Sequence, residues 1–338
     1  MEWKEDVLGN VLEVKYGKDH KKLADGQYPV YGSGGLMRYV DSILYDGPSI
    51  LIPRKGTLNN IMFVDSPFWT VDTMFWSIIN TDKVDPKFLF YSICKRDFAS
   101  MNVGSAVPSM TVNILNDIQI SYPKNISDQR RIASILSSLD QKIELNNKIN
   151  ADLEEMAQAI FKNWFVDFEP FKNGKFVDSE LGMIPEGWKV GSLGDFCNVF
   201  TGKKNTSQAI EKGLYPFFSC APEPLASNDA IFNGKAIIIA GNGSYTGRTS
   251  FYNGEFDLYQ RTYACTIREQ DKENLMIFFY HMMKQFFEPT KMGGTRGSSI
   301  PYIVMGDITQ QKFPYSKDWL IRFSNIANSM MDRKLRID

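Results

Sequence analysis

Histidine is scarce in this chain, with two residues in 338, His20 and His281. Catalytic triads and metal centres that draw on imidazole have almost nothing to build with, and no metal is expected. Cysteine is scarce too. Cys94, Cys197, Cys220 and Cys265 form no CxxC pair and no zinc-ligand spacing, so they read as buried thiols in a reducing compartment. No run of about 18 apolar residues occurs, so neither a membrane span nor a membrane partner is expected. Met1-Glu2-Trp3-Lys4-Glu5-Asp6 has no basic stretch leading into an apolar one. No signal peptide is read, and a cytoplasmic location is expected.

Catalytic signatures are missing as well. There is no GxxxxGK[ST] phosphate loop, no GxSxG elbow and no (N/D)PP(Y/F) tetrapeptide of an adenine methyltransferase. Gly241-Asn242-Gly243-Ser244-Tyr245-Thr246-Gly247 has the wrong spacing for a dinucleotide loop and opens no helix, so it reads as a turn. The chain is expected to be no enzyme and to hold no cofactor. Charge excess is absent too: 38 Lys and Arg against 39 Asp and Glu give a net charge of -1. Nucleic-acid binders are often basic overall, but phosphate binding needs only a local positive surface. Lys15-Tyr16-Gly17-Lys18-Asp19-His20-Lys21-Lys22 is one such cluster.

What the sequence has is repetition. Trp3, Leu8, Gly9, Val14, Gly17 and Lys18 return in order as Trp188, Leu193, Gly194, Val199, Gly202 and Lys203. Tyr28-Pro29 returns as Tyr215-Pro216, Ile50-Leu51-Ile52 with Gly56 as Ile237-Ile238-Ile239 with Gly243, and Phe90-Tyr91 with Lys95 as Phe279-Tyr280 with Lys284. Gly104-Ser105 with Pro108 returns as Gly297-Ser298 with Pro301, and Leu139-Asp140-Gln141-Lys142-Ile143 as Met331-Asp332-Arg333-Lys334-Leu335. The chain is a tandem duplication of a mixed unit followed by a helix. Within each copy, apolar runs such as Ser49–Ile52 and Ala236–Ile239 read as buried strands. Asp85 followed by Pro86 reads as a helix start. The fold class is α+β.

From Ser127 to about Phe165 there is no Gly and no Pro. Ile132, Leu136, Leu139, Ile143, Leu153, Ala157, Ile160 and Trp164 recur at heptad spacing, which predicts a helix roughly 60 Å long that buries one stripe against a partner helix. Asn146 and Asn150 fall on that stripe, either fixing its register or marking a break. Asp167–Gly174 ends the helix. A second helix is expected from about Ser316 and reaches Asp338, the counterpart of Asn146. It therefore reads as shortened, which leaves the seam from Leu153 onward short of a partner. Two similar units joined by such helices suit the reading of two short DNA segments, much as a dimer reads half-sites.

Three runs carry a family resemblance. Gln129-Arg130-Arg131-Ile132-Ala133-Ser134-Ile135-Leu136, Leu139–Asn146 and Met156–Pro170 resemble the central region of type I restriction–modification specificity subunits. Gly182–Trp188 and Trp3–Gly9 resemble the entries to that family's two recognition domains. The resemblance covers nearly the whole chain. It implies a first target recognition domain at 1–125, a conserved helix at 126–168 and a linker at 169–187. A second recognition domain at 188–315 and a shortened helix at 316–338 follow. It implies that the helices pair as an antiparallel coiled coil and that the partners are double-stranded DNA with a bipartite site and methyltransferase subunits, which recruit a restriction subunit. Adenosylmethionine, ATP and magnesium would belong to those partners. The incomplete coil adds self-association as an expectation. A stand-alone DNA-binding protein is the alternative reading.

Recognition residues follow from chemistry rather than from the family. Lys and Arg hold phosphate or read guanine, Asn reads adenine, and Ser and Thr contact either. The loops after the matched strands give Arg54, Lys55, Thr57 and Asn59 in the first copy, and Asn242, Ser244, Tyr245 and Arg248 in the second. The Gly-Lys turns add Lys18, Lys203 and Lys204. The Gly-Ser turns and a neighbouring strand add Ser105, Ser109, Arg296, Ser298 and Arg261. For the helices, Ile132, Leu136, Leu139, Ile143, Leu153 and Ile160 are expected on the seam. Gln158, Lys162, Trp164 and Phe165 are candidates for the methyltransferase-facing surface, Trp164 and Phe165 equally as core.

Overall fold

Strands form where short β-branched and aromatic runs lie between turn residues. In the computed structural model, which describes residues 1–104, 107–287 and 301–337, these strands gather into two units, Met1–Leu145 and Asn146–Asp338. In the first unit, β1 (Trp3–Val7) pairs antiparallel with β9 (Gln119–Pro123). A four-stranded sheet runs β2 (Leu12–Tyr16), β8 (Met74–Ile79), β5 (Pro48–Pro53), β6 (Met62–Asp65). A three-stranded sheet runs β4 (Gly35–Val40), β3 (Tyr28–Gly32), β7 (Trp69–Thr70). Ile50, Leu51 and Ile52 of β5 are buried, as the apolar run predicts. Helix α1 (Pro86–Ile93) starts as expected: Pro86 opens it, and the Asp85 carboxylate accepts from the Phe88 N–H at 3.0 Å. The short helix α2 (Val112–Asn116) is capped by Thr111.

The second unit opens with a small hairpin, β10 (Phe176–Val177) with β11 (Ile184–Pro185). Strand β12 (Lys189–Ser192) then leads into α4 (Leu193–Phe196) and pairs with β19 (Lys312–Tyr315). A six-stranded sheet runs β13 (Cys197–Thr201), β18 (Thr262–Ile267), β16 (Phe232–Ala240), β17 (Thr249–Leu258), β14 (Tyr215–Phe218), β15 (Leu225–Ser227). Helices α5 (Met276–Phe286) and α6 (Met305–Thr309) complete the unit with two long helices described below. Each pairing of the first unit has its counterpart here. The β2–β8 pair matches β13–β18, the parallel β3–β7 pair matches β14–β17, and β1–β9 matches β12–β19. One difference has a plain cause. Strand β17 is continuous, whereas its counterpart is split into β6 and β7 around Ser66-Pro67. Proline has no N–H for the ladder, so the first unit carries two sheets where the second carries one.

Helix α3 (Ile126–Phe165) is continuous over 40 residues, through Asn146 and Asn150, so the break at the asparagines does not occur. Its first turn is fastened in the first unit by Gln129, which is fully buried. The Gln129 carboxamide accepts from the Asp85 N–H at 2.7 Å and donates to the carbonyls of Pro123 and Lys83 at 2.7 and 3.2 Å. Ile132 and Ala133 pack on the core beside it.

In the second unit the last turns of α3 pack against α7 (Lys317–Ile337). Trp164 meets Trp319 at 4.8 Å between ring centroids, Phe161 meets Phe323 at 5.4 Å, and Ala157, Ala327, Leu153 and Met331 continue the row. As α3 numbers fall, α7 numbers rise, so the two run in opposite directions. This corrects the expectation that the seam from Leu153 onward lacks a partner. Aromatic side chains place α7 on 153–164, and the uncovered stretch lies earlier. Ile135, Leu139 and Ile143 are 58, 54 and 58 % exposed in the chain, where Leu139 and Ile143 were expected in a buried seam. Leu136, Leu153 and Ile160 are half-buried, and Asn150 is buried. Phe165 is fully buried beside Phe161 and Trp188, so it is core.

All four cysteines are free, but only Cys197 and Cys265 are buried; Cys94 and Cys220 are half-buried, a correction to the reading of four buried thiols. Burial pushes the Cys197 thiol up to about 12. Among the described residues no helix is long and apolar enough to cross a membrane.

Candidate nucleic-acid interface

The loop that leaves β5 is held by four backbone contacts. Arg54 N–H donates to the Thr73 carbonyl at 2.8 Å, and Gly56 N–H to the Pro108 carbonyl at 3.1 Å. Met110 N–H donates to the Arg54 carbonyl at 2.9 Å, and Lys55 forms a β-bridge with Ser109. The loop that leaves β16 repeats this set. Gly241 N–H donates to the Arg261 carbonyl at 3.0 Å, Gly243 N–H to Pro301 at 3.0 Å, and Ile303 N–H to Gly241 at 2.9 Å, while Asn242 bridges Tyr302. Gly56 and Gly243 both sit at positive φ, +92° and +82°, where a side chain would be strained. One rigid backbone frame is therefore built twice.

The side chains on the two frames differ. Where the first carries Lys55, Thr57 and Ser109, the second carries Asn242, Ser244 and Tyr302. Lys55, Thr57, Asn59 and Ser244 are exposed, and Tyr245 and Tyr302 are 48 and 37 % exposed. Two of the arginines are anchored by backbone carbonyls of neighbouring loops. Arg54 donates through Nε to the Asp72 carbonyl at 2.8 Å and lies 5.9 Å from the Tyr16 ring centre. Arg248 donates to the carbonyls of Ala221 and Pro222 and lies 5.7 Å from the Tyr245 ring centre. Asn59 bonds Asp97 and the Ala99 N–H. Arg261 is exposed beside Gly241.

The two Gly-Lys turns are also equivalent. A Cβ on Gly17 would lie 2.0 Å from the Val71 carbonyl oxygen, and one on Gly202 1.5 Å from that of Leu258. Only glycine permits this approach to the neighbouring strand. Lys18 and Lys203, which follow, are exposed. Lys204, grouped with them in the sequence, is committed elsewhere. Its ammonium donates to Asp257 at 2.6 Å, Asp229 at 2.7 Å and Ser227 at 2.9 Å. Asp257 is 1 % exposed, and the hydrogen bond to Asp229, followed by that to Asp257, raises the Lys204 pKa above the ordinary lysine value. Lys204 holds a buried carboxylate in place. Ser105, Arg296 and Ser298 lie outside the described residues.

On the helices, Gln158 is engaged within the second unit. Its Oε1 lies 2.8 Å from His281 Nδ1, and its Nε2 donates to Gln285 Oε1 at 3.2 Å. Lys162 is exposed and pairs with Asp167 at 2.6 Å. Sequence reasoning missed Tyr302 and Asp72. The Pro108/Pro301 match pointed to Tyr302, its neighbour; no pattern pointed to Asp72.

The type I restriction modification DNA specificity domain family matches residues 1–155 and 185–317, one stretch for each copy. The MjaIX specificity subunit of Methanocaldococcus jannaschii is 28 % identical over 319 residues, covering 85 % of this chain and 73 % of that protein. The EcoDI specificity subunit of Escherichia coli is 37 % identical over 131 residues, covering 38 % of this chain and 27 % of that protein. A crystal structure of a type I restriction–modification S subunit from M. genitalium aligns with 99 % of this chain and 91 % of its own. At a TM-score of 0.66 and 16 % identity, it shares the fold.

Proposed function

This chain belongs to the type I restriction modification DNA specificity family, and from that premise we propose how its parts divide the work. It is the DNA sequence-specificity subunit of a type I restriction–modification complex. Each unit reads one half of a bipartite duplex target through its frame loop and Gly-Lys turn. The observation that carries this reading is the duplicated frame: the same backbone hydrogen bonds in both units, dressed with different side chains. A shared frame places both loops alike against a groove, and different donors and acceptors select different bases. Lys18 and Lys203 supply phosphate contacts.

Helices α3 and α7 form the antiparallel coiled coil of the assembly. Methyltransferase subunits dock on it, and a restriction subunit joins through them. The row Ile135, Leu139 and Ile143, more than half exposed, is the surface offered for docking. A second copy of the chain is the other occupant, and the mass of the isolated chain in solution separates the two. The chain performs no chemistry. Adenine methylation and cleavage rest with its partners in the cytoplasm.

The test is co-expression with a methyltransferase subunit from the same source, followed by sequencing of the host DNA for N6-methyladenine. A single bipartite motif that appears only when this chain is present supports the reading. A stable complex with no methylation, or no complex, contradicts it.

A further inference from the structure

Beneath the recognition loop of the second unit lies a thiol. Cys220 Sγ donates to Asn242 Oδ1 at 3.0 Å, with the Arg261 carbonyl at 3.3 Å and the Thr262 hydroxyl at 3.5 Å around it. The turn that carries Cys220 is clamped to the same loop from the other side, because Arg248 donates to the carbonyls of Ala221 and Pro222. Thiol and loop are thus held together at two points.

The first unit repeats the placement with different chemistry. Ser33 is the counterpart of Cys220, and its hydroxyl would lie 2.9 Å from a Cβ on Gly56, the counterpart of Gly243. Its carbonyl accepts from Asn60 Nδ2 at 2.8 Å. Both units therefore set a small polar side chain under the frame, but only the second aims it at a base-reading residue.

We propose that Cys220 is a positioning residue that fixes the face Asn242 shows to DNA. A free asparagine offers an acceptor and a donor together, the combination that matches adenine. With Oδ1 turned down onto the thiol, Asn242 presents its amide N–H groups. It then selects an acceptor on a base edge, such as purine N7, guanine O6 or thymine O4, and rejects the amino group of cytosine. The proposal rests on the specificity reading above and narrows it to one residue pair and one base pair.

The experiment is N6-methyladenine sequencing after co-expression of each variant with the methyltransferase subunit. Cys220→Ala frees the carboxamide to turn over. Methylation at sites altered at one base pair, in one half of the motif, should rise about tenfold relative to the unaltered site. Asn242→Ala should relax the same position. Cys220→Ser keeps a donor at this place and should keep the motif. Asn242→Asp retains the acceptor for the thiol but removes the outward donor, so it should lose the original preference even if Cys220→Ala folds poorly. A motif unchanged in Cys220→Ala, or equally relaxed in Cys220→Ser, would overturn the role of Cys220 while leaving the specificity reading in place. If the unaltered chain yields no motif, that reading falls, and this inference falls with it.

Discussion

The ammonium of Lys204 lies 2.6 Å from Asp257 Oδ2, a carboxylate that is 1 % exposed. Lys203, its neighbour, is exposed. Two adjacent lysines in one Gly-Lys turn thus stand in different surroundings. Lys204→Ala leaves a buried charge without its cation and should destabilise the second unit by about 3–5 kcal/mol. Lys203→Ala should leave stability within about 0.5 kcal/mol. It should instead weaken DNA binding evenly across sequences and reduce the salt slope by about one unit. Thermal unfolding of both variants, with binding titrated against salt, separates the two roles.

Gln129 closes the joint between α3 and the first unit with three hydrogen bonds. Gln129→Ala leaves the Asp85 N–H and the carbonyls of Lys83 and Pro123 without this partner at a largely buried joint. The expected cost is about 2–3 kcal/mol, read as a lower urea midpoint for the first unit with an unchanged slope.

The ammonium of Lys4, 2.8 Å away, together with Asn10, the Val7 N–H and Tyr122, holds the Asp6 carboxyl well below the usual carboxylate range. A group whose pKa is lower in the folded chain stabilises the fold at any pH above its unfolded value, about 3.9. That contribution is lost as pH falls through the lower folded value. Asp6→Asn should therefore weaken the first unit at pH 7 by about 1 kcal/mol, discounted because the pair is partly solvated. The gap between variant and parent should shrink below about pH 4. A gap that widened on acidification would contradict this assignment.

The packing of α7 on α3 is anchored by fully buried rings. Phe161 and Phe323 stand 5.4 Å apart. Phe161→Ala should destabilise the second unit by about 3–5 kcal/mol. Leu139→Ala, on a residue 54 % exposed in the chain, should change stability little and weaken assembly with the methyltransferase subunit. Sizing of the complex for both variants checks the contrast.

Much of this was legible in the sequence because it is local or repeated. The absence of Gly and Pro over 127–165 marked α3 to within a residue at its start. Asp85 and Pro86 marked α1, and the matched Ile triplets marked the central strands. The ordered repeat marked a duplicated unit, and the strand pairings of the first unit recur in the second. What stayed hidden depends on contacts distant along the chain. Heptad spacing shows that a stripe wants a partner but not which stretch receives one, so it does not reveal that 153–164 is the stretch α7 covers. The Trp164–Trp319 and Phe161–Phe323 pairs decide that register, and aromatic pairing has no sequence period. Lys204 looked like Lys203 because its partner Asp257 lies 53 residues on. Arg54 and Arg248 looked free because backbone carbonyls, which every residue carries, are their acceptors.

The central claim is that one frame per unit reads one half of the target, and a pair of single substitutions tests it most directly. Lys55→Ala and Asn242→Ala occupy equivalent places on the two frames. Each is expected to cost about 1–3 kcal/mol of base discrimination at a single position. Methylation motifs sequenced for the two variants, each co-expressed with the methyltransferase subunit, should show Lys55→Ala relaxing one half of the bipartite site and Asn242→Ala relaxing only the other. Relaxation of the same half by both, or of neither, would contradict the account.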